Sequence, residues 1–305
     1  MSKERHAGLR PTSDVPVEDS QLVETKRFRR ALNGRVDAIN NSNRFYEKQI
    51  GRMMSLNEKI TVRSRLGFIG LGYLGSRIAR RLVNAGFRVS VCDLDETKVA
   101  ELERLGANSA RDPGKLAGDV DVVLSCLPDE HSVEGVYHGQ GGVLRSARSG
   151  TRIIELSTIS PEITRRLHRS AQQLHLDALD VAVSGSTGAA DAGALTLFGG
   201  GSRALFDSAG LIFPAIAKQW FYMGPSGSGV AMKLVVNALL GTGMQAIAEA
   251  VALGEGLDLP RDLLFDVLAR TAVIAPAHAG KLGTAKSHDY APQFPLRLMH
   301  KDFRL

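Results

Sequence analysis

The feature that most constrains this chain is a glycine turn set between two apolar runs. Residues 66–69 are a short apolar run that ends in Gly70-Leu71-Gly72-Tyr73-Leu74-Gly75. An amphipathic segment follows, with Ile78, Ala79, Leu82 and Val83 at helical spacing, and Gly86 closes it. A second apolar run, residues 87–92, ends in Asp93. A GxGxxG pattern alone says little. With a strand before it, a helix after it and an acid ending the next strand, it predicts a dinucleotide-binding βαβ unit. The three glycines then serve different ends. Gly70 makes the tight turn, Gly72 lets backbone N–H groups approach a pyrophosphate, and Gly75 lets helix and strand pack closely. The phosphates would meet a helix N-terminus, where orphan N–H donors and the dipole favour anions. Asp93 can accept both adenine-ribose hydroxyls and would repel a 2′-phosphate, and Arg88 precedes the strand end instead of flanking the acid. NAD is therefore expected over NADP. Asp95 is expected to cap the helix that starts near Glu96.

The alternation of strand and helix continues. Residues 121–127 read as a strand ending in Pro128, and residues 152–156 as another ending in Ser157-Thr158-Ile159-Ser160-Pro161. Ser160-Pro161-Glu162 reads as cap, first turn and acid of the next helix. Residues 178–183 and 194–199 are further strands, separated by a small-residue stretch from Ser184. Ligands of open parallel sheets bind outside the carboxyl ends of the strands, so Pro128, Thr158 and Ser184 should ring one crevice. After Trp220-Phe221-Tyr222-Met223-Gly224 the strands stop. A long helix is predicted from Gly229 to about Leu257, apolar nearly all round and so buried in a helical domain or between subunits. Lys233 and Asn237 are its early polar residues, four apart on one face beside a glycine-rich approach, which marks a site better than a snorkelling lysine.

Composition narrows the function classes. At 305 residues with 44% apolar and 23% charged, the chain has the make-up of a globular protein of one large or two ordinary domains. No apolar run reaches the roughly 18 residues of a membrane span, and no signal-peptide core opens the sequence, so a cytoplasmic protein without a membrane partner is expected. Two cysteines, Cys92 and Cys126, make neither a disulfide framework nor a four-ligand zinc site; both fall in predicted strands as buried structural residues, and no metal is expected. The net charge of +6 is carried by residues 1–65, with 14 basic and 8 acidic side chains, while the remainder holds 24 of each. The basic excess thus belongs to an N-terminal extension, residues 1–64, densest at Lys26-Arg27-Phe28-Arg29-Arg30. That extension reads as a solvated, partly helical tail. An arm for nucleic acid or an acidic partner, or translation starting at Met53 or Met54, are the other readings.

Four separated motifs, in order, give the chain a resemblance to the β-hydroxyacid dehydrogenase family. They are Gly70 to Gly75, Asp180-Val-Ala-Val-Ser-Gly-Ser186, Gly227-Ser-Gly-Val-Ala-Met-Lys-Leu-Val-Val-Asn237, and Lys301-Asp302. The resemblance implies an α/β fold: a Rossmann-type, mostly parallel sheet domain over residues 65–224, then an all-helical domain like that of 6-phosphogluconate dehydrogenase over residues 225–305. It also implies an NAD-dependent oxidoreductase that interconverts a small β-hydroxy acid and its oxo acid or semialdehyde. By position, Lys233 matches the family's acid/base and Asn237 the residue that orients substrate beside it. Ser184, with the N–H groups of Gly185 and Ser186, matches the carboxylate anchor. Thr158 and Lys301 match positions near the nicotinamide and its ribose, and Leu127-Pro128 a loop passing the cofactor. Ser186 and Val236 depart from the usual Gly and Asn. The chain ends at Leu305, where further helical turns are expected, so the helical domain reads as incomplete, and homo-oligomerisation as contingent on it. Two alternatives stay open: an NADPH-dependent glyoxylate or succinic semialdehyde reductase, and a non-catalytic dinucleotide-binding scaffold with a basic partner-binding arm.

Overall fold

The apolar runs assemble into one eight-stranded sheet because each inner strand has apolar side chains on both faces. The computed structural model describes residues 60–289, 291 and 294–305; readings that fall on residues 1–59, the basic extension above all, lie outside the described residues. The strands are β1 (Arg65–Ile69), β2 (Arg88–Cys92), β3 (Asn108–Ser109), β4 (Val122–Ser125), β5 (Arg152–Glu155), β6 (Asp177–Ser184), β7 (Leu195–Gly201) and β8 (Ala217–Gly224). Their order is 3-2-1-4-5-6-7-8. From β3 to β6 all neighbours are parallel. Alternate residues feed two cores: Phe68 and Leu124 pack with Ile78 and Leu82 of α1 (Gly75–Asn84), whereas Ile69 and Val123 pack with Tyr137 and Leu167.

The pairing of β6 with β7 is antiparallel. Residues 185–194, with only the short α7 (Thr187–Asp191), are too few for a parallel crossover, which needs about a dozen or more. Between β7 and β8 there is room for α8 (Arg203–Ser208) and α9 (Phe213–Ile216), and this pair is parallel. The aromatic run at Trp220 belongs to β8, an edge strand with Trp220 and Phe221 partly exposed. Cys126 lies one residue beyond β4 and not inside it.

The remaining helices of the sheet region are α2 (Glu96–Arg104), α3 (Pro113–Asp119), α4 (Glu130–His138), α5 (Val143–Ser146) and α6 (Pro161–Gln173). Two expected caps are present: Asp95 accepts from Thr97 N–H at 3.1 Å, and Ser160 Oγ from Ile163 N–H at 3.3 Å, with Pro161 in the first turn.

The second half is helical: α10 (Ser228–Gly256), α11 (Arg261–Leu268), α12 (Pro276–Lys286) and α13 (Leu296–Asp302). Small residues let these helices close on α10. A Cβ on Gly241 would meet the Phe303 ring at 2.3 Å, one on Gly243 the His278 ring at 2.4 Å, and one on Gly254 Leu264 at 2.6 Å. Only part of α10 is covered, however. Val230, Lys233, Asn237, Ile247 and Val251 are buried, while Val235, Leu239 and Leu253 are 55%, 70% and 66% exposed within the chain. The neighbours sit on one side, so burial all round does not occur in a single copy. By length and composition alone α10 would suit a membrane span, but its first turns are docked on β6 and β7 and carry a buried lysine.

Candidate active site

The strand order reverses between β1 and β4, and the glycine turn stands at that point. Gly70 has φ +92° and donates to Cys92 O at 3.0 Å, and a Cβ on Gly75 would lie 2.0 Å from Gly70 O. Those two glycines are therefore demanded by the fold. Gly72 is different: nothing lies within 4 Å of an added Cβ. Gly72 and Tyr73 are exposed, and among the described residues the N–H groups of Gly72, Tyr73 and Leu74 meet no backbone carbonyl. Unmatched donors leading into α1 form a cradle for an anion. Asp93, half-buried at the end of β2, accepts the Leu71 N–H through Oδ2 and the Asp95 N–H at 2.8 Å through Oδ1. The acid is thereby locked beside the turn. Leu94, the next side chain, is fully exposed, and Lys98 is engaged by Asp95 at 3.2 Å, so no free cation flanks Asp93 on this segment. These residues fit a dinucleotide.

A second group assembles from distant parts of the chain. Gly227 caps α10 with φ +86°, and a Cβ on Gly229 would sit 2.3 Å from Phe198 O, so the helix approaches the sheet closely. Asp180, buried in β6, holds it there: its carboxylate accepts Gly227 N–H at 2.9 Å and Val230 N–H at 3.0 Å. Burial pushes this acid up to about 6 despite those bonds. His168 Nε2 lies 3.8 Å from Asp180 Oδ1, too far for a hydrogen bond, and its own burial lowers the imidazole to about 4. One turn on from the docking point, Lys233 is 8% exposed. Burial lowers its pKa to about 8, against the raising effect of Asp302 and with a smaller lowering by Lys301. Asn237 Nδ2 donates to Asp302 Oδ2 at 2.5 Å. Because a carboxylate can only accept here, the amide is fixed, and its Oδ1 is left as a buried acceptor without a partner among the described residues. Lys301 lies 3.0 Å from Asp302 Oδ1 and donates to Thr158 O at the carboxyl end of β5. The lysine face of α10 and the strand ends are thus one connected cluster.

Ser184 ends β6 and is half-buried; Gly185 has φ +144° and, with Ser186, is exposed. Ser186 Oγ caps α7 by accepting Ala189 N–H at 3.2 Å, and its O–H proton stays available beside the backbone donors. Arg77 and Arg81 of α1 brace α7, Arg77 Nε to Asp191 Oδ2 and Arg81 Nη1 to Asp191 O, both at 3.0 Å. Leu127 and Pro128 follow β4, with Leu127 N–H bound by Ser157 Oγ at 2.7 Å.

Comparison with known proteins bears directly on this arrangement. Residues 65–224 match the NAD binding domain of 6-phosphogluconate dehydrogenase, and residues 227–305 match the NAD-binding domain of NADP-dependent 3-hydroxyisobutyrate dehydrogenase. The 2-(hydroxymethyl)glutarate dehydrogenase of Eubacterium barkeri is 35% identical over 242 residues, covering 79% of this chain and 80% of that protein. The chain belongs to the β-hydroxyacid dehydrogenase family. The NAD-dependent L-serine dehydrogenase of Pseudomonas aeruginosa is 36% identical over 79% of this chain and 83% of its own length. The 3-hydroxyisobutyrate dehydrogenase of Mycobacterium tuberculosis, solved with L-serine, superposes with a TM-score of 0.72 at 30% identity, over 79% of this chain and 84% of that one. As a β-hydroxyacid dehydrogenase the chain is an NAD(P)-dependent oxidoreductase. Sequence reasoning singles out Lys233, Asn237 and Lys301 but gives no role to Asp302, Asp180 or Glu155. Asp302 and Asp180 both stand inside family motifs; Glu155 looks like an ordinary strand acid.

Proposed function

We propose that this β-hydroxyacid dehydrogenase uses NAD(H) to interconvert a short β-hydroxy acid and its oxo acid or semialdehyde. The observation that carries the reading is the buried Lys233–Asn237 pair tied through Asp302 and Lys301 to the carboxyl end of β5. When bound, the dinucleotide supplies or takes up the hydride. The protein does the rest. In reduction, Lys233 holds a proton at Nζ and passes it to the carbonyl oxygen; in oxidation, neutral Nζ removes the hydroxyl proton. A pKa near 8 serves both directions. At pH 7 about one lysine in ten is then neutral, against about one in 3,000 at the ordinary pKa. Asn237 Oδ1 offers an acceptor to the substrate, and the Ser184 hydroxyl with the Gly185 and Ser186 N–H groups offers donors to its carboxylate. Burial of Lys233 and Asn237 keeps water from competing for those two groups.

Preference for NAD over NADP is supported by Asp93, whose two oxygens are fixed at the β2 end with no free cation on residues 93–98 to receive a 2′-phosphate. Initial rates with NADH and NADPH on a panel of small oxo acids and semialdehydes test the reading. NADH should be preferred and carboxylate-bearing substrates should turn over fastest; a clear NADPH preference contradicts the role of Asp93. A second copy of the chain is the proposed cover for the exposed apolar face of α10 at Val235, Leu239 and Leu253. Light scattering of the purified protein should give a multiple of the chain mass of 32.8 kDa. A monomer at micromolar concentration refutes that part.

A further inference from the structure

Glu155 has no part in the chemistry proposed above, yet its surroundings are elaborate. It ends β5, is 1% exposed, and burial raises its pKa above the usual carboxylate range. Both oxygens are taken. Oε2 accepts from the hydroxyl of Ser125, which ends β4, and Oε1 accepts Ser157 N–H at 2.7 Å. Ser125 Oγ meets the buried Tyr137 hydroxyl at 2.5 Å, and Ser157 Oγ accepts Leu127 N–H at 2.7 Å. A second tie runs between the same two segments, where Glu130 Oε1 accepts Ser160 N–H at 2.8 Å. One carboxylate therefore joins residues 126–129, after β4, to residues 156–160, after β5. Burying an acid is costly unless hydrogen bonds replace its lost hydration, as they do here at both oxygens.

The sheet order says what the joined segments face. With the diphosphate at the β1 turn and the adenine ribose at Asp93 on β2, the other half of a dinucleotide must extend across the reversal point, over the ends of β4 and β5. From residues 156–160 the connection continues through Thr158 O to Lys301, then to Asp302 and Asn237 on the lysine face of α10. We propose that Glu155 is a positioning residue, holding the two segments that cradle the nicotinamide half of the cofactor so that its ring faces Lys233. This rests on the dinucleotide reading given above.

The test compares NAD+ with ADP-ribose, which has the adenosine and diphosphate but lacks the nicotinamide. Glu155→Gln keeps the volume but replaces an acceptor by a donor, so the Ser125 bond must reverse and the Ser125 O–H loses its carboxylate acceptor. Ser157→Ala leaves the buried acid in place and removes the acceptor for Leu127 N–H together with the Ser157 hydroxyl's own bond to Glu155, and it carries the test should the glutamine variant fail to fold. In each variant NAD+ affinity should fall about tenfold relative to ADP-ribose, and the deuterium isotope effect on kcat from C4-labelled NADH should rise as hydride transfer slows by about 10- to 100-fold. Equal weakening of both ligands, or no change in either, overturns the assignment. If the parent protein binds neither ligand, the dinucleotide reading itself fails and the proposal falls with it, a result distinct from a parent that binds both and variants that do the same.

Discussion

Asp302→Asn and Lys301→Met should move the kinetic pKa of the enzyme in opposite directions. Burial brings Lys233 from 10.5 down to about 8, with Asp302 working against the shift and Lys301 adding to it. Removing the carboxylate charge withdraws support for the ammonium form, so the pKa should fall, by about one pH unit for a nearby charge. Asn at 302 can still accept from Asn237 Nδ2, so that bond survives, while the Lys301 contact at the other oxygen is lost. Protonated Lys233 is the acid in reduction, so kcat/KM for reduction is lost as pH rises through the pKa. With a midpoint near 8 in the parent and near 7 in Asp302→Asn, the variant should be about threefold slower at pH 7.5 and equal at pH 6, while oxidation at pH 7 should gain about fivefold. Lys301→Met should push the midpoint above 8. The assay is initial rate by reduced-cofactor absorbance from pH 6 to 10 in both directions. Midpoints that stay at 8 in both variants, or move the same way, would refute the assignment of this titration to Lys233.

Three further outcomes follow from the same geometry. Gly72→Ala should fold like the parent, because its Cβ enters open space, yet lose dinucleotide affinity by titration; Gly75→Ala, with a Cβ 2.0 Å from Gly70 O, should lower Tm as well. Lys233→Met should abolish turnover but stabilise the protein by up to about 3 kcal/mol at pH 7. Since the folded pKa of Lys233 lies below the unfolded one, the charge-burial cost is fully present below pH 8 and fades by about pH 10.5; denaturant melts at pH 7 and 10.5 should show the gain only at the lower pH. Asp180→Ala leaves two N–H groups of the α10 start unmatched and should cost about 2–4 kcal/mol, read as a lower denaturation midpoint.

What can be read ahead of the structure is local. The turn from Gly70 to Gly75, the Asp95 and Ser160 caps and the Lys233–Asn237 spacing depend on residues a few positions apart, and periodicity reports such relations well. The partnership of Asn237 with Asp302 spans 65 residues and depends on how α13 folds back onto α10. Glu155 and Asp180 are opaque for a related reason. An acid in a strand looks the same whether it faces water or a helix terminus, and only the stacking of α10 on β6, or of the Ser157 turn on β4, gives it partners. A sequence reading buries α10 either in a helical domain or between subunits and cannot choose, because hydrophobicity records what a helix can bury, not how many neighbours one copy of the chain supplies.

The central claim is that Lys233 gives a proton to a carbonyl that receives hydride from a dinucleotide seated on the glycine turn. Single turnover with C4-deuterated NADH and a β-oxo acid tests it most directly. The account requires deuterium on the carbinol carbon of the product with the parent enzyme, and a collapse of that transfer in Lys233→Ala while NADH affinity is retained. Transfer at the parent's rate in the variant would contradict it.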